Sequence, residues 1–360
     1  MTDAEIAHRR LRNQRLTRPM RGGAGDAVGW LGGVQAQDYA GAKWALGSRL
    51  RGVTDDGVER AFDEGAILRT HVLRPTWHFV TPADIRWMLA LTASRVHAVN
   101  GHRYRQLELD DATFRRSHEE LSKALQGGQH LTRDELREVL RRAGIATDRE
   151  QRMAYLMMRA ELDGIVCSGP RRGKKFTYAL LEERAPHARS LARDEALAEL
   201  ARRYFRSRGP ATVHDFAKWS GLTLADARRG LEAARTGLRH VVADRRTFWH
   251  PPTRGPKTGR PHTAHLLSIY DEYVSGYKDR SAMVDRRHAA RLSGMGNALT
   301  YIVVVDGRIV GTWRRRLEKT DVVIQADVFT RLTRPQKEGV AAAAERYGAF
   351  LGRSVVLGLK

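Results

Sequence analysis

The sequence has 360 residues, of which 42% are hydrophobic and 29% charged, so the chain can bury more than one core and is neither a disordered nor a fibrous protein. Its 63 lysine and arginine residues against 41 aspartate and glutamate residues give a formal net charge of +22, which favours a polyanionic partner, nucleic acid before an anionic membrane. The single cysteine, Cys167, excludes an internal disulfide and a cysteine-rich zinc site.

The N-terminal part of the chain is predicted to be helical and then to form a hairpin. Apolar spacing predicts four helices, at residues 6–16, 27–34, 43–50 and 57–66. Two β-type runs, ILRTHVL and TWHFV, follow, and the Arg-Pro pair between them favours a turn. Helices followed by a hairpin are typical of a winged helix. This first winged helix, with a connecting helix, is assigned to residues 1–110.

A second unit of the same kind is predicted for residues 111–187. It contains a helix near Phe114, the capped helix LTRDELREVLRRAG, an apolar stripe over residues 153–160, and two strands around a basic tip. The stripe contains two methionines and one leucine. It is assigned to the core because methionine commonly fills core space. Residues 188–262 repeat this order and end in the proline-rich basic linker PPTRGPKTGRPHTAH.

The remaining residues, 263–360, are predicted to be rich in β-structure. The segments LLSIYDEYVSGYKDR, LTYIVVVDGRIVGTWRR and TDVVIQADVF alternate like antiparallel strands, and a final helix closes a small barrel or sheet. The predicted fold class is therefore α+β, with three tandem winged-helix (helix-turn-helix) domains followed by a C-terminal β-barrel or otherwise β-rich domain.

Positive charge is concentrated in two places. Six arginines lie between Glu5 and Asp26 with no acid among them: Arg9, Arg10, Arg12, Arg15, Arg18 and Arg21. Four cations crowd the tip of the second predicted wing and are expected to contact DNA phosphates: Arg171, Arg172, Lys174 and Lys175. A solvated helix face explains the N-terminal run equally well, but it explains the hairpin tip less well.

Two segments contain polar residues whose roles the pattern leaves open. In HVLRPTWHFV, neighbouring strand residues point to opposite faces, so Trp77 is assigned to the core, and His78 is either a structural histidine or a cleft residue. In DEYVSGYKDR, Asp271 and Glu272 point apart for the same reason. That geometry is poor for paired acid and base catalysis, and it favours ion pairing with the basic residues that follow or with another element.

A third segment, VQAQDYAGAKWALGSRL, places Gln35 and Gln37 on either side of one alanine. In an extended turn, a spacing of two brings both side chains to one side, where two amides offer donors and acceptors to a water molecule. The residue pattern alone favours a simpler interpretation, in which both glutamines are exposed turn residues.

QAQD, AKWALGSRL, LRPTWHFVTPADIRWML, DEYVSGYKDR and VDGRIVGTWRR, in this order, resemble the AlkZ/AlkX (YcaQ) family of bacterial DNA glycosylases over nearly the whole chain. The Gln-x-Gln motif resembles the AlkZ branch. The resemblance implies that tandem winged helices and a β-barrel form a basic cleft for DNA, and that Gln35 and Gln37 are catalytic. It also suggests supporting residues near the cleft: Asp38, His71, Arg74, Thr76 and His78.

The resemblance further implies the reaction. Members of the family excise N7-alkylated guanine, and some unhook interstrand crosslinks made by azinomycin-like alkylators. We therefore expect a monofunctional glycosylase that acts, as a monomer without metal or other cofactor, on double-stranded DNA carrying alkylated purines. The alternative is a non-catalytic winged-helix DNA-binding protein or transcriptional regulator, which has the same charge and wings.

Other functional classes lack their motifs. The sequence contains no Walker-type phosphate loop, HExxH helix or GxSxG turn, which removes support for nucleotide hydrolysis, zinc proteolysis and the common serine-hydrolase reaction. The start, MTDAEIAHRRLRNQR, has no apolar signal segment, and no run reaches the roughly 18 apolar residues that cross a bilayer. We expect a cytoplasmic, nucleoid-associated protein that contacts no membrane.

Overall fold

The computed structural model describes four stretches of the chain: residues 1–148, 151–252, 262–294 and 301–360. Helices and strands occur together along the chain, which confirms the predicted α+β class. The middle of the predicted proline-rich linker, residues 253–261, lies outside the described residues. Within the four stretches, no helix is both long enough and apolar enough to cross a membrane.

The chain divides into two compact units. Unit 1 consists of residues 1–59, 197–219 and 223–360, and unit 2 consists of residues 60–196 and 220–222. The four consecutive segments expected from the sequence remain a prediction, because a compact unit and a structural repeat are different properties of a chain. Unit 1 is built from both ends of the sequence and from one segment between them, residues 197–219.

The N-terminal elements are α1 (Asp3–Asn13), α2 (Ala24–Leu31), β1 (Val34–Gln35), α3 (Tyr39–Gly47) and α4 (Asp55–Asp63). All four helices begin before their predicted starts, because the capping residues precede the apolar stripe that revealed each helix. Thr2 and Glu5 form a capping box at α1. The Asp38 carboxylate caps α3 by accepting a hydrogen bond from the Gly41 N–H at 2.6 Å.

Unit 2 contains the next elements: β2 (Leu68–His71), β3 (Trp77–Val80), α5 (Ile85–Gln106), α6 (Asp111–Leu125), β4 (Leu131–Thr132), α7 (Arg133–Arg142), α8 (Arg152–Leu162), β5 (Val166–Ser168), β6 (Thr177–Leu180) and α9 (Leu181–Arg184). Strands β2 and β3 pair antiparallel, and β4, β6 and β5 form a small sheet in that order. The predicted apolar stripe is buried in one core with Leu121, Leu136 and Val166, which confirms its assignment.

The third predicted unit contains α10 (Arg193–Arg208), α11 (Val213–Ser220), α12 (Leu224–Ala233), β7 (Arg239–Ala243) and β8 (Arg246–His250). Strands β7 and β8 form the hairpin that the sequence predicts. The two residues of its turn, Asp244 and Arg245, have φ angles of 48° and 60°. Two consecutive positive φ angles are the signature of a type I′ turn, which matches the twist of the flanking strands.

The C-terminal elements are β9 (Ala264–Leu267), α13 (Glu272–Ser275), α14 (Ala289–Gly294), β10 (Ile302–Val305), β11 (Arg308–Leu317), β12 (Asp321–Val328), α15 (Arg334–Leu351) and β13 (Ser354–Leu359). Their strands form one open sheet in the order β13-β12-β11-β10-β9, and α15 packs on β9. The prediction of a β-rich domain is confirmed. It forms a half-barrel sheet, and the described strands do not close into a full barrel.

One predicted strand is wrong. The segment DEYVSGYKDR was expected to continue the alternating strand pattern, but it begins with the short helix α13. Asp271 caps this helix by accepting a hydrogen bond from the Tyr273 N–H at 2.8 Å. All residues from Asp271 to Tyr277 are buried, so the alternation of polar and apolar residues does not mark an exposed and a buried face here.

A buried ion pair joins α13 to the N-terminal helices. Both terminal nitrogens of Arg49 donate to Asp271, each at 2.8 Å, and both side chains are 1% exposed. Arg49 also donates to the amide oxygen of Gln14, whose nitrogen donates to the Tyr277 hydroxyl oxygen at 3.0 Å. Burial raises the pKa of Tyr277 to about 12, which keeps its hydroxyl neutral at physiological pH. Every member of this network thus depends on partners from distant parts of the sequence.

Replacing Asp271 by alanine leaves the Arg49 charge buried without its carboxylate. We expect Asp271→Ala to lower the free energy of unfolding by about 3–5 kcal/mol, measured by urea denaturation. The control is Glu338→Ala on α15, whose ion pair with Arg334 is exposed. That change is expected to cost less than about 0.5 kcal/mol. Equal small effects of the two changes would contradict the importance of the buried pair.

Candidate active site

The Gln35-Ala36-Gln37 segment is an extended link between α2 and α3. Helix α2 ends at Gly32 in the left-handed conformation, with φ of 71°, and Gly33 follows with φ of 147°. Both angles favour glycine, so this pair turns the chain sharply out of the helix. Strand β1 then leads into the segment, and the Asp38 cap of α3 ends it. The segment is therefore fixed at both ends.

Burial alternates along this link. Ala36 is fully buried, whereas Gln35 is half-buried and Gln37 is exposed. In extended backbone, residues two apart share a side, so Ala36 points into the protein and the two amides point away from it. This arrangement matches the predicted extended turn. It presents two groups that can each donate and accept hydrogen bonds.

A buried carboxylate holds the backbone of this link. One oxygen of Glu272 accepts a hydrogen bond from the Gln35 N–H at 2.9 Å. The other oxygen accepts from the Trp219 indole at 2.9 Å and from Arg208 at 2.6 Å. Glu272, Trp219 and Arg208 are all 0% exposed. The charge of Glu272 is thus fully used inside the protein, and its role toward Gln35 is to fix the position of the main chain.

Arg208 fixes the same backbone from the other side of Val34. Its terminal nitrogens donate to the carbonyl oxygens of Leu31 at 2.5 Å and Gly33 at 3.0 Å. These carbonyls belong to the last turn of α2 and the link, where no helical N–H follows to satisfy them. One guanidinium therefore joins the end of α2 to the carboxylate that binds Gln35.

The adjacent carboxylates Asp271 and Glu272 diverge, as the sequence predicts. Their ion-pair partners are Arg49 and Arg208, which lie on other elements, and not the basic residues that follow in DEYVSGYKDR. A sequence search for catalytic groups missed Arg208 and Trp219. The available signal was the carboxylate pair itself, since two charges in a buried segment require two basic partners.

Asp38 has a structural role that the sequence did not reveal. Its carboxylate accepts the Gly41 N–H of α3, and the Tyr301 hydroxyl lies 3.5 Å from the same oxygen. Burial is the main cause that raises the pKa of Tyr301. A carboxylate that caps the helix directly after Gln37 stabilises the start of α3 and, with it, the end of the link.

His71 lies in unit 2 and is buried. Its Nδ1 pairs with the Glu161 carboxylate, and its ring packs 4.4 Å from the ring of Trp77. The Trp77 indole also approaches the other oxygen of Glu161, at 3.4 Å. Because Glu161 is 2% exposed, this pairing is part of the interior of unit 2. The geometry of His71 is that of a buried, carboxylate-oriented histidine.

His78, Arg74 and Thr76 form a second group in unit 2. His78 is fully buried, and its Nδ1 lies 2.8 Å from the Thr76 carbonyl oxygen. Its Nε2 lies 3.3 Å from an Arg74 nitrogen. Trp77, which was predicted to be a core residue, is only half-buried. His78 is the interior residue, which fits the structural histidine of the two alternatives left open for it. The polar histidine is tolerated there because both ring nitrogens have polar neighbours.

The basic tip lies between β5 and β6 as predicted, but part of its charge is already paired. Arg172 donates to the Glu135 carboxylate at 2.7 Å, and Lys175 lies 3.8 Å from Asp134. The hydrogen bond from Thr132, and after it the hydrogen bond from Arg172, lower the pKa of the Glu135 carboxyl to about 2. The first turn of α7 thus neutralises two of the four predicted DNA contacts.

The other two cations of the tip have different surroundings. Arg171 lies over the Phe176 ring at 4.7 Å and donates to the Lys174 carbonyl oxygen at 2.6 Å. Lys174 is exposed at the end of the hairpin.

Among the described residues of the whole chain, no group of three or more histidine, cysteine, aspartate or glutamate side chains is arranged to hold a metal ion.

The sequence and the fold are similar to known proteins. The model of the family described as DNA glycosylase AlkZ-like matches residues 28–350. An interstrand DNA cross-link repair glycosylase of Streptomyces sahachiroi is 27% identical over 322 residues, which cover 84% of this chain and 85% of that protein. The solved structure of Streptomyces sahachiroi DNA glycosylase AlkZ has a TM-score of 0.80 at 23% identity, and the match covers 99% of both chains.

The family match spans most of the sequence and includes the Gln-x-Gln segment whose fixed geometry is described above. It also removes the alternative of a non-catalytic regulator, because the family is described as DNA glycosylases and the relative is named as one. We conclude that the chain is a DNA glycosylase and belongs to the AlkZ-like family.

Proposed function

We propose that the protein is a monofunctional glycosylase that hydrolyses the N-glycosidic bond of N7-alkylguanine and leaves an abasic site. The observation that carries this proposal is the geometry of the Gln-x-Gln link. Its backbone is fixed by Glu272 and Arg208, while Gln35 and Gln37 extend from the same side of it. Rigid support for a catalytic group is what a positioning mechanism needs.

The chemistry of the lesion suits neutral amides. Alkylation at N7 gives guanine a positive charge, so the bond between C1′ and N9 can break with its electron pair passing to the base, without a strong general acid. The sugar then develops oxocarbenium character at C1′. A water molecule held by Gln35 and Gln37 adds its oxygen to C1′ and loses a proton to solvent. The amide oxygens also stabilise the positive charge of the sugar.

Crosslinked guanine belongs to the proposed substrate range. The relative from Streptomyces sahachiroi is named as an interstrand DNA cross-link repair glycosylase. A base joined to the opposite strand cannot easily rotate by about 180° into an enclosed pocket, as base-flipping enzymes require. Gln37 is exposed, which favours attack on a base that stays close to the duplex. Simple N7-alkyl adducts and N7 crosslinks therefore share one proposed mechanism.

We propose that three winged helices bind the DNA. The proposed segments are residues 1–110, 111–187, 188–262 and the β-rich 263–360. Each of the first three contains helices followed by an antiparallel hairpin, which supports the proposal. Alkylated double-stranded DNA is the proposed partner, and the net charge of +22 suits it. We place the protein in the cytoplasm, associated with the nucleoid, as a monomer.

The supporting residues act, in this proposal, by fixing the local structure of the element on which each of them lies. Asp38 stabilises the α3 start next to Gln37, through the hydrogen bond to Gly41. In unit 2, four residues would shape the β2–β3 hairpin and its connection: His71, Arg74, Thr76 and His78. At the basic tip, Lys174 is the strongest candidate for a phosphate contact, because it is exposed at the end of the hairpin, whereas Arg172 and Lys175 already face acids of α7.

Removing either amide should abolish water positioning while DNA binding is retained. We expect Gln35→Ala and Gln37→Ala each to lower the single-turnover rate of N7-methylguanine release by about 100-fold. The rate is measured by mass spectrometry of the free base from a methylated duplex, and affinity is measured on the same duplex. Mutant affinity within about threefold of wild type is expected, since phosphate contacts supply most of the binding.

Gln129→Ala is the matched control, because Gln129 is an exposed glutamine of unit 2 outside the site. It should excise at the wild-type rate. Unchanged excision in both Gln35→Ala and Gln37→Ala would sink the assignment of the catalytic pair. A duplex with an azinomycin-type crosslink, assayed in parallel, tests the wider substrate range.

The two lysines of the tip should differ in their contribution to DNA binding. We expect Lys174→Ala to reduce the slope of log affinity against log salt concentration by about 1, because one phosphate contact is lost. Lys175→Ala should change the slope less, because Asp134 faces that lysine. The slopes are measured by fluorescence anisotropy with undamaged duplex. A larger effect of Lys175→Ala would contradict this division of the tip.

A further inference from the structure

A cleft in unit 1 is lined by none of the residues assigned above to the Gln-x-Gln link or to the basic tip. It has a volume of about 440 Å³ and lies against α2 and α10. Three arginines of α10 line it: Arg202, Arg203 and Arg206. Trp30 of α2 forms part of the wall, and Gly25 and Gly29 leave that face of the helix without bulky side chains. The cleft is thus wide, aromatic on one side and strongly basic on the other.

Two arginines from distant parts of the chain stack on the tryptophan. The guanidinium carbon of Arg15 lies 3.9 Å from the Trp30 ring centre, and that of Arg206 lies 4.4 Å away. The Trp30 indole donates to the Asn13 carbonyl oxygen at 2.8 Å, which fixes the ring. Cation–π contacts hold a guanidinium in place over the ring face. Arg15 and Arg206 are therefore positioned in advance of any ligand, and together with Arg202 and Arg203 they form the arginine cluster.

Arg15 adopts a backbone conformation that glycine usually occupies. Arg15 follows the end of α1 and has a φ of 66°. The N–H groups of Arg15 and Leu16 donate to the carbonyl oxygens of Arg12 and Leu11, which is the Schellman ending of a helix. Glycine is the usual residue at this position, and a larger residue costs about 1–2 kcal/mol. Replacing Arg15 by glycine would therefore remove this conformational cost.

The positive charge of the cluster exceeds the negative charge near it. Glu199 already binds Arg203 at 2.6 Å and also pairs with Arg202. Asp26, the other acid of the cleft, accepts the Gly23 N–H at 2.8 Å. The Nε atoms of Arg15 and Arg206 are buried without a hydrogen-bond partner. Burial, followed by the charges of Arg202, Arg203 and Arg15, lowers the pKa of Arg206.

We propose that this arginine cleft binds backbone phosphates of DNA, through residues other than those of the Gln-x-Gln link. Guanidinium groups match the paired oxygens of a phosphate, and a phosphate would supply the negative charge that the cluster lacks. Arg18 and Arg21 are exposed and continue the positive surface, so a strand with several phosphates fits better than a single free anion. Of the six N-terminal arginines, Arg10 is internal and is not part of this surface.

The choice of DNA as the source of the phosphate rests on the proposed function. The test uses undamaged duplex of about 20 base pairs, so that base excision does not enter the result. The variants are Arg15→Gly, Arg206→Gln and the double variant, in the full chain. Arg334→Gln is the control, because Arg334 is an exposed arginine of the same unit whose side chain is 91% exposed.

Each cluster variant should reduce the slope of log affinity against log salt concentration by about 1, and the double variant by about 2. The Arg334→Gln slope should equal that of wild type. Arg15→Gly separates binding from folding, because glycine relieves the positive φ. Its melting temperature should be equal to or higher than that of wild type, although its affinity for DNA is lower.

Wild-type slopes in the Arg15→Gly and Arg206→Gln variants would overturn the proposal, and they would leave base excision by the Gln-x-Gln link untouched. A second arm uses sodium pyrophosphate in thermal unfolding. If pyrophosphate stabilises wild type but not the double variant, while both bind the duplex equally, the cleft takes a small phosphate compound and the DNA assignment is wrong. Failure of excision with the expected slopes would sink only the proposed reaction.

Discussion

A carboxylate that is fully removed from water must be surrounded by hydrogen-bond donors, and the geometry around Gln35 follows from how Glu272 meets this condition. Its two oxygens accept from the Gln35 backbone, the Trp219 indole and the Arg208 guanidinium. An unpaired buried charge costs several kcal/mol, so these four groups are held in one arrangement. Four elements, α10, α11, α13 and the link before α3, thereby come together through one side chain. The buried polar groups of unit 1 thus support the backbone that carries Gln35 and Gln37.

In the proposed reaction, this rigid support would allow weak chemical groups such as amides to be sufficient. Neutral amides gain little from pKa adjustment, so their contribution to a reaction depends on where they are held. The fixed backbone supplies that position, and the excess of arginine supplies attraction for a polyanion over a larger distance. The acids of α7 reduce this attraction locally, because they pair with Arg172 and face Lys175. The net charge of +22 therefore overstates the positive charge that is available at the basic tip.

Local patterns predicted the local structure, and they failed where distant partners decide. Apolar spacing and turn residues predicted most helices, the hairpins and the buried methionine stripe. The short helix at Asp271 was predicted as a strand, because its burial depends on Arg49, 222 residues earlier in the sequence. The same limit applies to Trp77, which was predicted to be a core residue and is only half-buried. The two glutamines have no pattern of their own that marks catalysis, and only the resemblance to a family drew attention to them.

The discontinuous composition of unit 1 has a consequence for the order of assembly during synthesis. Gln35 leaves the ribosome early, but the carboxylate that binds its backbone lies 237 residues later. Until that residue emerges, the N-terminal helices carry Arg49 without its ion-pair partner and expose a surface that is later buried. Unit 2 is nearly continuous in sequence, so it can complete its core first, since domains generally fold as units while the chain grows. The nascent protein therefore acquires the hairpins of unit 2 and its basic tip before it acquires the support for its paired amides. With the roles proposed for these groups, affinity for nucleic acid would precede catalytic competence in the life of each chain.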